Sequence, residues 1–223
     1  MRPITRLAGM GAWIVSAAIW IALLGILSSC SFFESDVRVS TPKYCPPPKE
    51  PEATNLPYCR VDLELPLTAV QRPALYVYKS ERRLLLVNEG TLVRDYTIGL
   101  GPHPNGDKSI RGDGRTPEGE FFICAKNPDS KYYKSLGLSY PAPKHAEEAL
   151  VSGRISFDEY RNIVQSNNEM KLPPANTALG GAIFIHGGGA DRDWTLGCIA
   201  VYNKVIDDLF EIIPVGTPVY VLP

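Results

Sequence analysis

The chain has 223 residues, with 23 Lys and Arg against 24 Asp and Glu, so its formal net charge is −1. This length allows one domain of ordinary size beside an N-terminal targeting segment. Because nucleic-acid binding needs a concentrated basic surface, the near-neutral charge excludes that class of protein. With 44% hydrophobic and 21% charged residues, the composition is that of a globular protein rather than a disordered one.

Residues 1–29 are predicted to form a signal peptide or a membrane anchor. Arg2 and Arg6 precede an uncharged apolar stretch that is close in length to the roughly 20 residues needed to cross a bilayer. This stretch ends in LSSC, which resembles the lipobox of bacterial lipoproteins, so Cys30 is the predicted lipidation site. An uncleaved anchor is the alternative. Both readings predict attachment to a membrane at its periplasmic face, and the serine after Cys30 favours the outer membrane.

Residues 30–60 are predicted to form a lipidated cysteine followed by a Pro-rich linker. The sequence TPKYCPPPKEPEATNLP within it is rich in proline and polar residues. Such a segment buries too little apolar surface to fold alone, and it is expected to act as a semi-rigid spacer. Cys45 and Cys59 flank its proline-rich centre and are candidates for a disulfide bond in an oxidising compartment, although the sequence leaves this open.

The folded domain is predicted over residues 61–223 and consists mainly of short strands. Runs of β-branched and aromatic residues between turn residues predict strands at 74–79, 83–88, 91–100, 121–125, 181–186, 198–202 and 219–222. Residues 101–119 are rich in Gly, Pro and Asp and are predicted to form a long loop that ends in the turn TPEG. Cys124 is expected to be a small buried core residue. Together these features predict a mostly β fold, resembling a sandwich or a barrel.

Two helical patterns interrupt the strands. Apolar residues recur at helical spacing between residues 146 and 166, where Gly153 divides the run and Ser156 is a suitable N-cap for the second part. This predicts a short helical insertion that serves as a lid or wall. Near the end of the chain, Asn203 is expected to cap a C-terminal helix at residues 204–213.

One segment, IFIHGGGADRDWTLGCIAVYN, contains the residue types of nucleophilic catalysis. His186 ends one predicted strand and Cys198 opens the next, so two neighbouring strand ends are expected to bring imidazole and thiol together. A histidine within hydrogen-bond reach can take the thiol proton and stabilise the thiolate. Gly197 leaves room for a substrate carbonyl, and the backbone amides of Gly197 and Cys198 are candidate oxyanion donors. The alternative is an inert buried cysteine beside a core histidine.

The same segment resembles the signature of the L,D-transpeptidase (YkuD) catalytic domain family, a His-Gly followed by Ser/Thr-x-Gly-Cys. The matching residues are His186, Gly187, Thr195, Leu196, Gly197 and Cys198. Upstream, KSIRGDGRTPEGEF from residue 108 is similar to the family's Thr-Pro-x-Gly segment, and KNPDSKYYKSLGLSYP from residue 126 is similar to the YafK-type subgroup. The resemblance covers residues 73–223, which is nearly the whole predicted domain.

The resemblance implies a reaction and a substrate. Cys198 would attack an L-to-D peptide bond of a peptidoglycan stem peptide and form a thioester, with His186 as the base, aided by the backbone carbonyl of Gly187. An amine acceptor or water would then resolve this acyl-enzyme. Neither a cofactor nor a metal is implied, and the sequence has no C-x-x-C or paired Cys/His spacing. The chain departs from many family members in having Leu196 in place of a second histidine and Ala200 in place of Arg or Asn.

Arg115, Thr116 and Tyr133 are the candidate substrate-binding residues. An arginine can pair with a stem-peptide carboxylate, and Arg111 is the alternative to Arg115 for this role. Residues 191–193 are expected to form a solvated loop surface. Three functions stay open: a transferase of cell wall remodelling and cell shape, a hydrolase (an L,D-amidase or endopeptidase) that releases peptides or linked lipoprotein, and a non-catalytic peptidoglycan-binding lipoprotein. Leu196 keeps the third function open, because the histidine common at its position contributes to the oxyanion hole of the family.

Overall fold

The computed structural model describes residues 56–223. The predicted signal peptide or anchor, Cys30, Cys45 and most of the linker lie outside the described residues. Cys59 is disulfide-bonded, but its partner lies outside these residues, so the pairing with Cys45 stays a prediction. Within residues 56–223, no helix combines the length and the apolar character needed to cross a bilayer.

Nine strands of the described residues form one mixed sheet, in the order β1-β4-β3-β2-β9-β5-β6-β7-β8. The strands are β1 (Arg60–Val61), β2 (Pro73–Tyr78), β3 (Arg83–Asn88), β4 (Thr91–Thr97), β5 (Gly119–Ser130), β6 (Tyr133–Leu138), β7 (Phe184–His186), β8 (Ile199–Ala200) and β9 (Pro218–Leu222). The helices are α1 (Pro143–Val151), α2 (Phe157–Asn168), α3 (Asn203–Ile212) and a 3₁₀ helix at Leu67–Ala69.

The sheet curls back towards itself. The long strand β5 joins its two halves, because its first residues pair with β9 and those from Ile123 onward pair with β6. At the other end, β8 returns to the segment after β4 through a bridge between Gly99 and Ala200. The N–H group of each of these two residues donates to the carbonyl of the other, at 2.9 and 2.8 Å. This arrangement confirms the predicted mostly β, barrel-like fold.

The main core combines buried residues from most strands of the sheet with residues of α3. Strand β2 alternates buried and half-buried residues, as expected for a strand with one face in the core. Other strands of the sheet contribute fully buried residues of the same kind, including Leu84, Leu136, Ile185, Ile199 and Val219. Burial of such side chains contributes roughly 1.5–3 kcal/mol each, so this core fixes the positions of β7 and β8, on which the predicted site depends.

The hairpin of β5 and β6 extends beyond the predicted strands. The sequence pattern predicts a strand only at residues 121–125, whereas β5 continues to Ser130 and β6 follows it. Residues 126–134 are mostly polar and include Pro128, which hides the alternation typical of a half-buried strand. Pairing of β6 with both β5 and β7 determines the hairpin instead. Cys124 is half-buried rather than a core residue.

Helices α1 and α2 form the predicted helical insertion. Ser156 is the N-cap of α2, and its hydroxyl accepts from the Glu159 N–H at 3.3 Å while the Glu159 carboxylate accepts from the Ser156 N–H at 2.7 Å. This reciprocal capping box satisfies two amides that the helix leaves unpaired. The pair packs around its own small core, which includes Ile163 and Leu179. Because Leu179 lies just before β7, the insertion supports the segment that leads into the site.

The loop that runs from β4 to β5 is anchored at both of its sides. Asp107 accepts hydrogen bonds from the Glu118 N–H at 2.7 Å, from Lys144 at 3.1 Å and from His145 at 3.3 Å. Burial alone raises the pKa of Asp107, but these bonds outweigh it and hold the pKa well below its ordinary value. The buried ammonium of Lys79 binds three further oxygens of the loop, at Gly106, Thr116 and Glu118. The loop is thus held in one position against the sheet.

Candidate active site

The site is built on two parallel strands that lie side by side. In the register of β7 and β8, Ile185 pairs with Ile199 and His186 pairs with Ala200. Both isoleucines are fully buried in the core. Cys198 directly precedes β8. Because successive side chains of an extended chain point to opposite faces, His186 and Cys198 are placed on the face away from that core. The fold therefore brings the predicted imidazole and thiol to one face of the sheet, offset along the strands.

The imidazole of His186 is buried and held in one tautomer. Its Nδ1 lies 2.7 Å from the carbonyl oxygen of Gly187. A carbonyl oxygen only accepts, so Nδ1 carries the hydrogen and Nε2 keeps its lone pair. Burial lowers the pKa of His186, and the bond to Gly187 offsets this only in part. The ring is therefore neutral near neutral pH and able to accept a proton at Nε2.

Two aromatic rings fix the orientation of the imidazole. The Tyr132 ring stacks on His186 with centroids 4.6 Å apart, and Trp194 meets it edge-on at 5.4 Å. The indole N–H of Trp194 donates to the Gly189 carbonyl at 3.1 Å, which ties that ring to the glycine-rich turn. Such contacts restrict rotation of the imidazole about its side-chain bonds.

Asn203 holds the turn that follows His186. Its Oδ1 accepts from the Gly188 N–H at 2.9 Å, and the N-cap of α3 is Tyr202, without a side-chain cap. The prediction that Asn203 caps α3 is therefore wrong, because its side chain binds the glycine-rich turn and not the helix terminus. A Cβ at Gly187 would lie 2.6 Å from the same Oδ1, so glycine is required where the turn passes α3.

The thiol of Cys198 is partly exposed and protonated in the resting structure. Its Sγ donates to the Ala182 carbonyl oxygen at 3.7 Å. Burial raises the pKa of Cys198, and the Phe184 amide and the Lys108 charge offset part of this. Within residues 56–223, no hydrogen bond joins this thiol to His186. The two groups thus rest as a neutral thiol and a neutral imidazole rather than as a preformed ion pair.

Cys198 opens into a cleft of about 260 Å³. Glycines form much of its wall, so the backbone of an extended peptide has room to approach the sulfur. In the described part of the chain, no group of three or more His, Cys, Asp and Glu side chains is placed to hold a metal ion. The cleft is lined by Lys108, Arg111, Gly112, Gly114, Gly180, Gly181, Ala182, Ile183, Leu196 and Cys198.

A tight turn positions the backbone at Cys198. The Thr195 hydroxyl donates to the Cys198 carbonyl at 2.7 Å and accepts from the Gly197 N–H at 3.2 Å. The Gly197 amide is therefore already occupied. Among the hydrogen bonds of residues 56–223, none uses the Cys198 N–H, which leaves that amide available for a substrate oxygen. Of the two predicted oxyanion donors, Gly197 and Cys198, only Cys198 therefore has a free amide in this structure.

Replacing Gly197 by alanine is expected to destabilise the domain strongly. Gly197 has φ +130°, and an added Cβ would lie 2.6 Å from the Arg115 carbonyl oxygen. Backbone strain and overpacking together lower the free energy of unfolding by about 2–4 kcal/mol. Gly153→Ala is the matched control, since Gly153 has φ +70° but open space around it, and its loss is about 1 kcal/mol. Urea-induced unfolding measures both. Equal stability of the two variants would contradict the close approach at Gly197.

The three candidate substrate-binding residues have hydrogen-bond partners within the protein. Thr116 is fully buried, and its carbonyl accepts from Lys79 at 2.9 Å. The Arg115 guanidinium turns to the Asp107 carbonyl at 3.4 Å, and the Tyr133 hydroxyl donates to Asp207 on α3 at 3.2 Å. None of the three side chains lines the cleft. In this structure their contacts are with the protein itself.

Sequence reasoning missed other residues around the site. Lys108 lines the cleft with the thiol, although its glycine-rich surroundings suggest a solvated loop. Arg111, the alternative to Arg115 as the arginine that binds substrate, lines the same cleft. Asp193, in the segment expected to be solvated surface, accepts from the Leu100 N–H at 2.8 Å and pairs with Arg82 at 2.7 Å. The sequence signal that could have indicated these ion pairs is the spacing of opposite charges, such as Lys108 and Asp113, which lie five residues apart in one loop.

Residues 72–221 match the YkuD family, described as the L,D-transpeptidase catalytic domain. Among solved structures, the chain is similar to an L,D-transpeptidase from Xylanimonas cellulosilytica, with 15% identity over 69% of this chain and 62% of that chain and a TM-score of 0.40. It is also similar to the helical cell shape determining protein Pgp2 from Campylobacter jejuni, with 20% identity, coverage of 69% and 48%, and a TM-score of 0.45. The chain spans about half to three fifths of the length of these structures. No curated protein matches it.

Proposed function

Because the chain belongs to the YkuD family of L,D-transpeptidase catalytic domains, we propose that it performs cysteine-nucleophile acyl transfer on peptidoglycan stem peptides. One observation carries the proposal. A partly exposed thiol in a cleft shares one face of the sheet with a buried imidazole, and the bond from Nδ1 to Gly187 leaves Nε2 of that imidazole free to accept a proton. This is the arrangement of a nucleophile, a base and a group that orients the base.

In the proposed first step, the Cys198 proton passes to Nε2 of His186 while Sγ attacks the carbonyl carbon of the L-residue in the donor peptide. The oxyanion that forms accepts a hydrogen bond from the free N–H of Cys198. Collapse of this intermediate breaks the peptide C–N bond, and Nε2 returns the proton to the leaving amine. The product is a thioester between Cys198 and the donor. An incoming amine or water then loses its proton to Nε2, attacks the thioester and releases the thiolate, which recovers the proton.

The resting geometry sets one requirement on this route. The thiol proton points to Ala182, so Sγ must leave that acceptor before the proton reaches His186. Hydrogen bonds of catalytic groups are often long or misdirected in free enzymes and tighten when substrate binds. A peptide in the cleft would lie against the same glycine-lined wall as the Ala182 carbonyl and compete for this contact.

A second open pocket supports transfer over hydrolysis. It has a volume of about 460 Å³ and is lined by Gly188, Gly189, Asp191, Arg192 and Trp194. One of these lining residues, Trp194, also contacts the His186 ring, which links this pocket to the base. We propose this pocket as the place where an acceptor amine binds before His186 takes its proton. Hydrolysis, in which water takes this place, is the competing outcome.

We further propose that the protein is a lipoprotein held at the periplasmic face of a membrane. The support is the N-terminal sequence, in which an apolar stretch ends in LSSC at Cys30 and the Pro-rich linker follows. A tether of this kind keeps a catalytic domain within reach of the cell wall polymer. The YafK-type subgroup likewise stays a prediction from the sequence.

Incubation of the full-length protein with defined tetrapeptide muropeptides separates the three functions. We expect dimers joined by an L-to-D bond, identified by mass spectrometry of the products. Shortened or released peptides without dimers would instead show hydrolysis. Unchanged substrate, together with measurable binding, would identify a non-catalytic binding protein and contradict the proposal.

A further inference from the structure

Lys108 is a buried cation in the wall of the Cys198 cleft. Its side chain is only 3% exposed, although lysine is rarely buried without a specific partner. The ammonium has three hydrogens, and the structure provides acceptors for two of them, the Asp113 carboxylate at 2.6 Å and the Ile110 carbonyl at 3.1 Å. No acceptor for the third lies among residues 56–223. Both Lys108 and Cys198 line the same small cleft.

We propose that the Lys108 ammonium is the positive charge that stabilises the ionised Cys198 thiolate, and that it is not only a structural link within its loop. This proposal rests on the proposed function, because it assigns Lys108 to the reaction of that sulfur. Lys108 is a positioning residue in this role, since it neither gives nor takes a proton. The positive charge of Lys108 stabilises the Cys198 thiolate in two steps of the reaction, when Sγ attacks the donor carbonyl and when the thioester breaks and Sγ leaves.

The ion pair with Asp113 does not cancel the charge of Lys108. One Asp113 oxygen also accepts from the Arg115 N–H at 3.1 Å, and the other accepts from the Ser109 and Ile110 amides at 2.9 and 3.2 Å. Burial raises the pKa of Asp113, but the bonds from Lys108 and these amides keep it below its ordinary value. The carboxylate is therefore charged and shared among four donors. Backbone dipoles balance part of its charge and leave part of the lysine charge free to act on the cleft.

The other charged groups around the thiol are less suited to this role. Arg111 lines the same cleft, but it is exposed and its guanidinium binds the Ala175 and Thr177 carbonyls. Solvent and salt screen an exposed charge far more than a buried one. His186 is neutral at rest, so it adds no positive charge until it has accepted the proton. The segment 180–183 on the opposite wall has no titratable side chain. Burial and the Lys108 charge act on the pKa of Cys198 in opposite directions, which agrees with this assignment.

The test measures the ionisation of Cys198 in the full-length protein. The rate of alkylation by iodoacetamide is followed against pH, and peptide mapping by mass spectrometry isolates the modification at Cys198. In Lys108→Met, the pKa of Cys198 is expected to rise by about one unit, with a roughly tenfold slower alkylation at pH 7.5, because an adjacent cation shifts a pKa by about 1–3 units. Lys108→Arg, which keeps the charge, is expected to stay within about threefold of the wild type.

Asp113→Asn separates an electrostatic role from a structural one. This variant also breaks the ion pair, but it removes a negative charge and leaves the ammonium uncompensated, so alkylation of Cys198 is expected to become faster. A purely structural link would make both variants change the rate in the same direction. Lys126→Met is the matched control, because Lys126 is also a partly buried lysine with a protein partner, the Phe210 carbonyl, but it lies on β5, outside the loop that carries Lys108, and does not line the cleft. It is expected to lower the melting temperature without shifting the pKa of Cys198.

An unchanged pKa of Cys198 in a folded Lys108→Met variant would overturn the inference. So would a slower alkylation in Asp113→Asn, which also decides the matter if Lys108→Met does not fold. Failure of the proposed function has a different signature, since the wild type would then form no acyl-enzyme with a stem peptide, whatever the pKa of its thiol.

Discussion

Replacing Cys198 by alanine is expected to lower kcat/KM on stem-peptide substrates by about 10⁴-fold or more, because the thioester needs the sulfur and no other group can form it. The structure places this thiol in the lining of a cleft of about 260 Å³, and the N–H of the same residue has no hydrogen-bond partner among residues 56–223. The fold should be unaffected, since the side chain is partly exposed and the alanine removes one sulfur atom. The measurement is the turnover of defined muropeptides, followed by mass spectrometry.

Cys124→Ala is the matched control for this prediction. Cys124 is the other free cysteine of residues 56–223, lies on β5, and donates to the Gly137 carbonyl at 3.4 Å. Burial raises the pKa of its thiol to about 11, so it is a poor nucleophile at neutral pH. The control should keep full turnover. Substantial turnover by Cys198→Ala would show that the reaction uses another nucleophile.

Replacing His186 by glutamine is expected to lower kcat by about 10²–10⁴-fold, the usual contribution of a general base. Glutamine fills similar space and can still donate a hydrogen bond towards the Gly187 carbonyl, but it has no lone pair basic enough to take the thiol proton. The fold is expected to persist, which circular dichroism verifies. His103→Gln is the control, because His103 is exposed in the loop after β4 and its loss should leave kcat unchanged.

The role of His186 as the base also predicts how the rate depends on pH. A base works only in its neutral form, which exists above its pKa. Burial lowers the pKa of His186 below its ordinary 6.5. The rate of the wild type should therefore hold as the pH falls through 6.5 and decline only below it, and this acid limb should be absent in His186→Gln. A limb that persists in the variant, or full kcat without the imidazole, would mean that another group is the base.

The sequence predicts the parts of the site that depend on periodicity and on local motifs. The buried strands β7 and β8 carry His186 and Cys198 to one face because Ile185 and Ile199 belong to the core, and this alternation is visible in the sequence. The prediction of Ser156 as the N-cap of the second helix is equally local, and the structure confirms it. Both features depend on residues at most three positions apart in the chain, where sequence patterns are informative.

Features that depend on tertiary contacts could not be predicted in the same way. Tyr132 rather than Tyr133 stacks on His186, a choice between adjacent residues that only the path of the β5–β6 hairpin decides. Lys108 is buried because the loop is held by Lys79 and Asp107 from opposite sides, and these contacts join residues about 30 positions apart. Asn203 suits a helix cap by type, but the glycine-rich turn takes its side chain.

The central claim is that Cys198 forms a thioester with a stem peptide, and trapping this acyl-enzyme tests it most directly. The full-length protein is mixed with a tetrapeptide donor in the absence of an acceptor amine and quenched in acid within seconds, and its intact mass is measured. We expect a mass gain equal to the donor without its leaving residue, located at Cys198 by peptide mapping and absent from Cys198→Ala. Product formation with no adduct at Cys198, or with an adduct on another residue, would contradict this account.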